Sequence, residues 1–184
     1  MKYNKLVGAV LIGAVALTGA FEGKRNVAYQ DVGGVWTVCN GETNGVKQGD
    51  KYTDAQCAEM LAKSLEKHNK PLEKLDYQLP PNVHIATLDF AYNVGVGNLE
   101  SSTLYRHLQN RQIQYACYQF NRWTKVRIDG ELRDCRNPQW NCRGIVVRRE
   151  IETQLCLGQI SVREALYRLG QLPTDEEVIN AISQ

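Results

Sequence analysis

The chain has 184 residues, enough for one domain with a sizeable core or two small lobes sharing a cleft. Its formal charge of +2 gives no whole-chain field of the kind that drives nucleic-acid binding. His68, His84 and His107 fall in no metal-ligand spacing and no glycine loop suits a phosphate, so the sequence implies neither metal nor cofactor.

Lys2 and Lys5 precede sixteen uncharged residues, Leu6 to Phe21. The run is short of the roughly 20 residues of a comfortable membrane span, and Gly8, Gly13, Thr18 and Gly19 dilute it further. It also fits a signal peptide with Thr18-Gly19-Ala20 as a small-residue cleavage site. Cleavage there would remove the helix that must carry Glu22, so the reading adopted is retention.

Glu22 follows this run directly, where packed side chains desolvate a carboxyl and favour its protonated form, the form a general acid needs. Asp31 stands beside Gly33 and Gly34, where the chain turns and water and backbone donors keep a carboxylate ionised. Two carboxyls in contrasting settings are the recurring arrangement for cleaving a glycosidic bond. Thr37, in the extended run Val35 to Cys39, can hydrogen-bond a water held by Asp31. The alternative for such a pair is two solvated surface charges.

From Val27 to Gly45 the turn pairs Gly33-Gly34, Asn40-Gly41 and Asn44-Gly45 separate short runs rich in Val, Trp, Thr and Tyr, which predicts a small antiparallel sheet forming one wall of a cleft. A helical remainder starts at Thr53, which makes a capping-box pattern with Gln56 ahead of Cys57, Met60, Leu61, Ser64, Leu65, His68 and Leu72. Pro80-Pro81 opens a second helix with a buried face of Val83, Ala86, Thr87, Phe90, Ala91 and Val94, stopped by Gly95 and Gly97. Leu104, Leu108, Ile113, Ala116, Cys117 and Phe120 continue a helical bundle. Ser161 with Glu164 caps a later helix ending at Gly170, and Thr174 with Glu177 caps a last short one.

Lys125 to Arg149 holds seven basic residues against three acidic ones. It reads either as a surface for an anionic polymer or as a solvated loop and helix face. Trp123 and Trp140 are either stacking platforms for sugars or core aromatics. In an exported chain the six cysteines read as a disulfide framework with fifteen full pairings. Cys135 and Cys142 flank a loop short enough for a clasp. Among the remaining pairings we choose Cys39 with Cys57 and Cys117 with Cys156, which would join helix to sheet and helix to helix. Metal ligation lacks a C-x2-C pair. No cysteine lies within Leu6 to Phe21, which argues against a membrane segment that supplies a thiol to an active-site disulfide.

The frame E-x8-D-x5-T formed by Glu22, Asp31 and Thr37, with FEG at its start and VWTV at its end, resembles the catalytic triad of the phage-type lysozymes, the endolysins of glycoside hydrolase family 24. FAYNVGVGNLESSTLYRHL (Phe90 to Leu108), FNRWTK (Phe120 to Lys125) and RRE (Arg148 to Glu150) resemble later segments of the same family in the same order. One departure is Gly41-Glu42-Thr43, where many members have a histidine in place of Glu42.

The resemblance implies an α+β lysozyme-like fold, with a small sheet lobe, a mainly helical lobe and the cleft between them. It implies a catalytic domain over residues 22–184 behind a signal-arrest-release segment at 1–21. It implies hydrolysis, with inversion, of the β-1,4 bond between N-acetylmuramic acid and N-acetylglucosamine in peptidoglycan. Glu22 would be the acid, Asp31, about 6.5 to 9.5 Å from it, would activate a water held between them, and Thr37 would assist. Asn93 and Ser102 are the expected substrate-binding residues, although Ser102 equally suits a helix cap. The expected partners are the glycan strands and, transiently through Leu6 to Phe21, the inner membrane; nucleic acid is not one, and the chain is expected to be a monomer. The uncleaved segment would export the chain, tether it to the inner membrane and then free it in the periplasm. While the segment spans the bilayer it cannot pack into the enzyme, so activity would wait on release. Two alternatives remain at this stage: a lytic transglycosylase that uses Glu22 alone, and a membrane-tethered wall-binding protein without catalysis.

Overall fold

The computed structural model describes residues 3–6, 8–31, 34–172 and 180. Its centre is set by the first apolar run. Helix α1 (Gly8–Glu22) buries Gly13, Ala14, Leu17 and Thr18 and packs against α2 (Asp54–His68), α3 (Pro81–Val94) and α8 (Val162–Arg168). The segment ahead of it is also held. Leu6 is buried, and fully buried Asn4 donates to the Leu72 and Tyr77 carbonyls and accepts from the Leu79 N–H and the Asn69 side chain. Among the described residues no helix is long and apolar enough to cross a membrane.

Helix α3 opens with Pro81 at its first turn, where the missing N–H costs nothing, and closes at Gly95, whose φ of 88° suits glycine. Val83 through Ala91 are all buried, so the helix is covered on every side and not only on the face expected from its spacing. Phe90 meets Phe120 and Trp123 edge-to-face at 5.3 and 5.2 Å, which packs half-buried Trp123 against the core. Gly97 does not stop the helix as expected. It lies within a further short helix, α4 (Val96–Ser101), followed by α5 (Thr103–Gln109) and α6 (Ile113–Gln119).

The capping box at α2 forms as read, with Thr53 and Gln56 each bonding the other's backbone N–H. Leu72, expected on that helix, belongs to a separate turn at Leu72–Lys74. Ser161 caps α8 by accepting from the Glu164 N–H, and Gly170 follows with φ 66°. The Thr174–Glu177 cap lies outside the described residues.

The sheet lobe is an antiparallel pair, β1 (Arg25–Gln30) and β2 (Trp36–Cys39), with Tyr29 opposite Thr37 and an irregularity between Arg25 and Tyr29. Val38, Cys39, Val46 and Cys57 form its own small core. The basic stretch after Trp123 departs from the loop-and-helix-face reading. Lys125–Ile128 and Glu131–Asp134 form a second hairpin, β3–β4, across Asp129-Gly130, both with positive φ (49° and 80°). Such a pair is the two-residue turn whose twist matches that of the flanking strands. Arg133 lies over the Trp140 ring at 4.2 Å, and the stretch leads into α7 (Arg143–Cys156).

All three disulfides are those chosen from the sequence. Cys39–Cys57 fastens the sheet lobe to α2, Cys117–Cys156 fastens α6 to α7, and Cys135–Cys142 clasps the loop ahead of α7. The joined elements are helix to sheet and helix to helix, as expected.

Candidate active site

Glu22 is the last residue of α1, and Gly23 behind it takes φ 70°, so the chain turns away and leaves the carboxyl at the helix end. The Asn40 side chain donates to the Gly23 carbonyl at 2.7 Å, and the Tyr92 hydroxyl donates to the Asn40 carbonyl at 2.9 Å. These two bonds pin the sheet lobe and α3 to the end of α1. Burial pushes the Tyr92 hydroxyl up to about 12, and the nearby charges of Glu22 and Glu42 add to it.

The surroundings of Glu22 are ionic as well as apolar, unlike the packed setting expected. Arg148 Nη1 donates to Glu22 Oε1 at 2.6 Å, and the guanidinium lies 4.8 Å from the Phe21 ring centre. Nε and Nη2 of the same guanidinium grip fully buried Asp89, at 3.0 Å to Oδ2 and 2.8 Å to Oδ1. This two-point fork fixes the guanidinium plane. Thr18 Oγ1 adds a 2.9 Å bond to Asp89 Oδ1, and the Glu152 side chain also hydrogen-bonds Asp89.

A second pair lies alongside. Arg149 Nη1 donates to both oxygens of fully buried Glu152 at 2.8 and 2.6 Å, and Arg149 Nη2 donates to Asn93 Oδ1. Burial pushes the Glu152 carboxyl up, against the pull of Arg149. For Arg148, burial alone would weaken proton binding, but Asp89, Glu152 and Glu22 together outweigh it and hold the guanidinium above its ordinary range. None of these partners follows from sequence spacing. One signal existed: Asp89 interrupts the apolar face of α3, and a buried carboxylate needs a cation.

A cavity of about 580 Å³ opens beside Glu22. Phe21, Asn93, Arg148 and, from the clasped loop, Asn141 and Cys142 line it with Glu22. Asn93 is thus at the site as expected from the sequence, while Asn141, exposed and in the left-handed region at φ 49°, was not foreseen.

Asp31 and Thr37 do not line this cavity but are brought together at the tip of the β1–β2 hairpin, around Val35. Asp31 Oδ1 accepts from the Val35 N–H at 2.9 Å, so the expected backbone donor to this carboxylate is present. The Val35 carbonyl accepts from the Asp31 N–H and from the buried Thr37 hydroxyl, both at 3.0 Å. The Thr37 proton is therefore committed to Val35, which leaves its oxygen only an acceptor's role toward any further partner. Glu42 accepts from the Asn44 N–H at 3.2 Å and braces the turn after β2.

Ser102 lies apart from the cavity. Its buried hydroxyl accepts from the Tyr105 N–H at 3.0 Å and donates to the Leu99 carbonyl at 2.6 Å, which makes it the cap of α5. Of the two roles the sequence allowed for Ser102, the fold shows the helix cap, with the hydroxyl proton and one lone pair used inside the protein. Trp140 carries Arg133 on its ring. Among the described residues no group of His, Cys, Asp and Glu has the arrangement of a metal site.

The family model for phage lysozyme matches residues 19–152. A curated relative named SAR-endolysin, from Enterobacteria phage P21, is 36% identical over 159 residues, covering 82% of this chain and 88% of the relative. A second, from Bacteriophage PS34, is 38% identical over 159 residues, covering 82% and 87%. Among solved structures, the active form of the P1 phage endolysin Lyz superposes with a TM-score of 0.66 at 26% identity, covering 80% of this chain and 85% of that one. An endolysin from Escherichia coli O157:H7 phage FAHEc1 shares the fold, with a TM-score of 0.71 at 23% identity and coverage of 80% and 92%.

Proposed function

Because the chain belongs to the phage lysozyme family, we propose that it is an endolysin that lyses its host cell by hydrolysing the β-1,4 bond between N-acetylmuramic acid and N-acetylglucosamine. The observation that carries this reading is the Glu22 carboxyl, held at a cavity by a guanidinium that is itself held by Asp89.

A guanidinium only donates, so Glu22 Oε1 is the accepting oxygen and the carboxyl proton belongs on Oε2. Arg148 thereby selects which oxygen delivers the proton to the glycosidic oxygen. Asp31, anchored by the Val35 N–H and joined through Val35 to Thr37, holds and activates the attacking water on the opposite face of the sugar. The product is a reducing sugar of inverted configuration. Asn93 has its side-chain oxygen committed to Arg149, which leaves its NH2 group as a donor for a sugar hydroxyl or an acetamido carbonyl. Ser102 supports the fold through the α5 cap.

Leu6 to Phe21 is the export signal in this reading, uncleaved and transiently in the inner membrane before the enzyme acts in the periplasm as a monomer. The residues that would lie in the bilayer are those that pack into the enzyme core, so the two placements exclude one another. The test of the chemistry is Glu22→Gln, an isosteric change, assayed on purified peptidoglycan with mass spectrometry of the released fragments. Wild type is expected to yield fragments with reducing ends. The variant is expected to lose about a thousandfold or more in rate while still binding the wall. Anhydro ends, lighter by one water, would overturn hydrolysis and remove Asp31 from its role.

A further inference from the structure

The apolar run Leu6 to Phe21 contains one side chain with a hydrogen-bonding group, Thr18. A threonine inside a helix ordinarily returns its hydroxyl proton to the carbonyl four residues back. Two buried threonines of this chain do so: Thr87 bonds the Val83 carbonyl at 2.8 Å and Thr153 bonds the Arg149 carbonyl at 2.7 Å. Thr18 instead crosses to a neighbouring helix and donates to Asp89 Oδ1, 71 positions away in the chain. Thr18 and Asp89 are both fully buried, and neither lines the cavity at Glu22.

The charges around this point constrain what the bond can do. Facing Asp89 and Arg148 are Glu22 from α1, Tyr92 and Asn93 from α3, and Arg149 and Glu152 from α7. Arg149 is taken up by Glu152 through both carboxylate oxygens, and Arg148 is shared by Asp89 and Glu22 at hydrogen-bond distance, with Glu152 at 3.7 Å from its Nε. Asp89 occupies Nε and Nη2 and leaves Nη1 for Glu22. The orientation of the fork therefore decides where Nη1 points. Thr18 donates to the Asp89 oxygen that also accepts from Nη2, so with Glu152 it bears on the plane of the carboxylate that the fork engages.

We propose that Thr18 and Asp89 are positioning residues for the acid, acting through Arg148: the α1 hydroxyl orients Asp89, Asp89 orients the guanidinium, and the guanidinium presents Glu22 with Oε1 engaged and Oε2 toward the substrate. This rests on the reading of Glu22 as the acid. Because neither residue reaches the cavity, their removal acts on turnover and not on substrate binding.

The experiment compares the full-length protein with Thr18→Val, which keeps the shape and removes the hydroxyl, and Thr18→Ser, which keeps the hydroxyl. Rates are measured on soluble glycan chains per mole of folded protein. Thr18→Val is expected to lower kcat by about tenfold to a hundredfold, the scale of a small misplacement of a reacting group, with KM within about twofold. Thr18→Ser is expected to recover most of kcat. A Thr18→Val enzyme with kcat unchanged, whatever its melting temperature, overturns the proposal, as does an equal loss in the serine variant. Should Thr18→Val not fold, Thr18→Ala carries the same comparison.

A readout independent of catalysis is the Arg148 Nε–H signal in 15N NMR, assigned with Arg148→Lys. It is expected to be resolved and slowly exchanging in wild type and Thr18→Ser, and shifted with faster exchange in Thr18→Val. An unmoved signal overturns the link. If wild type releases no glycan fragments while the NMR signal responds to Thr18, the acid reading fails and the mechanical link from Thr18 to Arg148 stands.

Discussion

His84 is 1% exposed, and its Nε2 lies 2.6 Å from Asn69 Oδ1. Asn69 spends its amide N–H on the Asn4 carbonyl, so its oxygen is an acceptor and His84 must carry its proton on Nε2. Burial pushes this imidazole down from its ordinary value near 6.5 to about 4. The unfolded chain therefore binds a proton between those two values while the folded chain does not. The stability that results is present above about pH 6.5 and is lost as pH falls toward 4. Wild type is expected to lose about 3 kcal/mol over that window from this group alone. His84→Gln, which keeps a donor and does not titrate, is expected to show a flatter dependence in denaturant unfolding at pH 7, 5.5 and 4. Equal pH slopes in the two proteins would show that His84 is not the group responsible. At this scale the sequence displays residues that form a short frame, such as Glu22, Asp31 and Thr37, to which the proposed function gives the chemistry. It does not display those that act as partners, such as Asp89 and Arg148, which stand 59 positions apart and meet only through packing.

Helix α1 has to satisfy two solvents in the proposed function, and its glycines do not contribute alike. A Cβ at Gly13 would come within 2.8 Å of Ile85 Cδ1 on α3, whereas at Gly19 its nearest neighbour is Leu61 Cδ2 at an ordinary 3.6 Å. A side chain at Gly13 would therefore have to displace the tip of Ile85, whereas Gly19 has room for a methyl group. Gly13→Leu is expected to destabilise the folded enzyme by about 1–3 kcal/mol or more through overpacking. Gly19→Ala is expected to leave stability within about 1 kcal/mol, with a gain in helix propensity acting in its favour. Both make the segment more apolar. Thermal unfolding of the released enzymes checks the pair, and similar losses in both would mean that the Ile85 contact does not distinguish the two positions. Helix existence, caps and the Pro80-Pro81 start were legible because they depend on neighbours within four residues. The β3–β4 hairpin carried a signal too, Asp129-Gly130 between Ile128 and Leu132, but the density of basic residues around it left only two readings, a surface for an anionic polymer or a solvated loop and helix face, and neither was a hairpin.

At the scale of the whole molecule the disulfides lie where the fold joins distant parts. Cys117–Cys156 closes 39 residues, Cys39–Cys57 closes 18 and Cys135–Cys142 closes 7. In the chain-entropy account the largest loop restrains the unfolded chain most, about 4 kcal/mol for Cys117–Cys156 against about 2 for Cys135–Cys142. Replacing Cys117 and Cys156 together by Ala is expected to lower stability by about that larger amount in urea unfolding. Replacing Cys135 and Cys142 by Ser is expected to cost less stability and to raise KM, because Cys142 lines the cavity beside Glu22. A KM unchanged in the second variant would remove the clasp from substrate binding.

The sequence by itself determined the apolar helix that ends at Glu22, the short sheet after it and the short Cys135–Cys142 clasp, all of which rest on spacing, turn chemistry or composition within reach of a local reading. The frame of Glu22, Asp31 and Thr37 took its meaning from a family resemblance, and Cys39–Cys57 and Cys117–Cys156 were a choice among open pairings until the fold brought them together. Only the tertiary structure decided that Asp89 and Arg148 stand between Thr18 and Glu22, that Asn141 faces the cavity and that Ser102 is spent on a cap. The physical reason is desolvation. A charged or polar group buried in the helical lobe is tolerable only beside its partner, and the identity of that partner is fixed by how α1, α3 and α7 pack, not by the order of residues along any one of them.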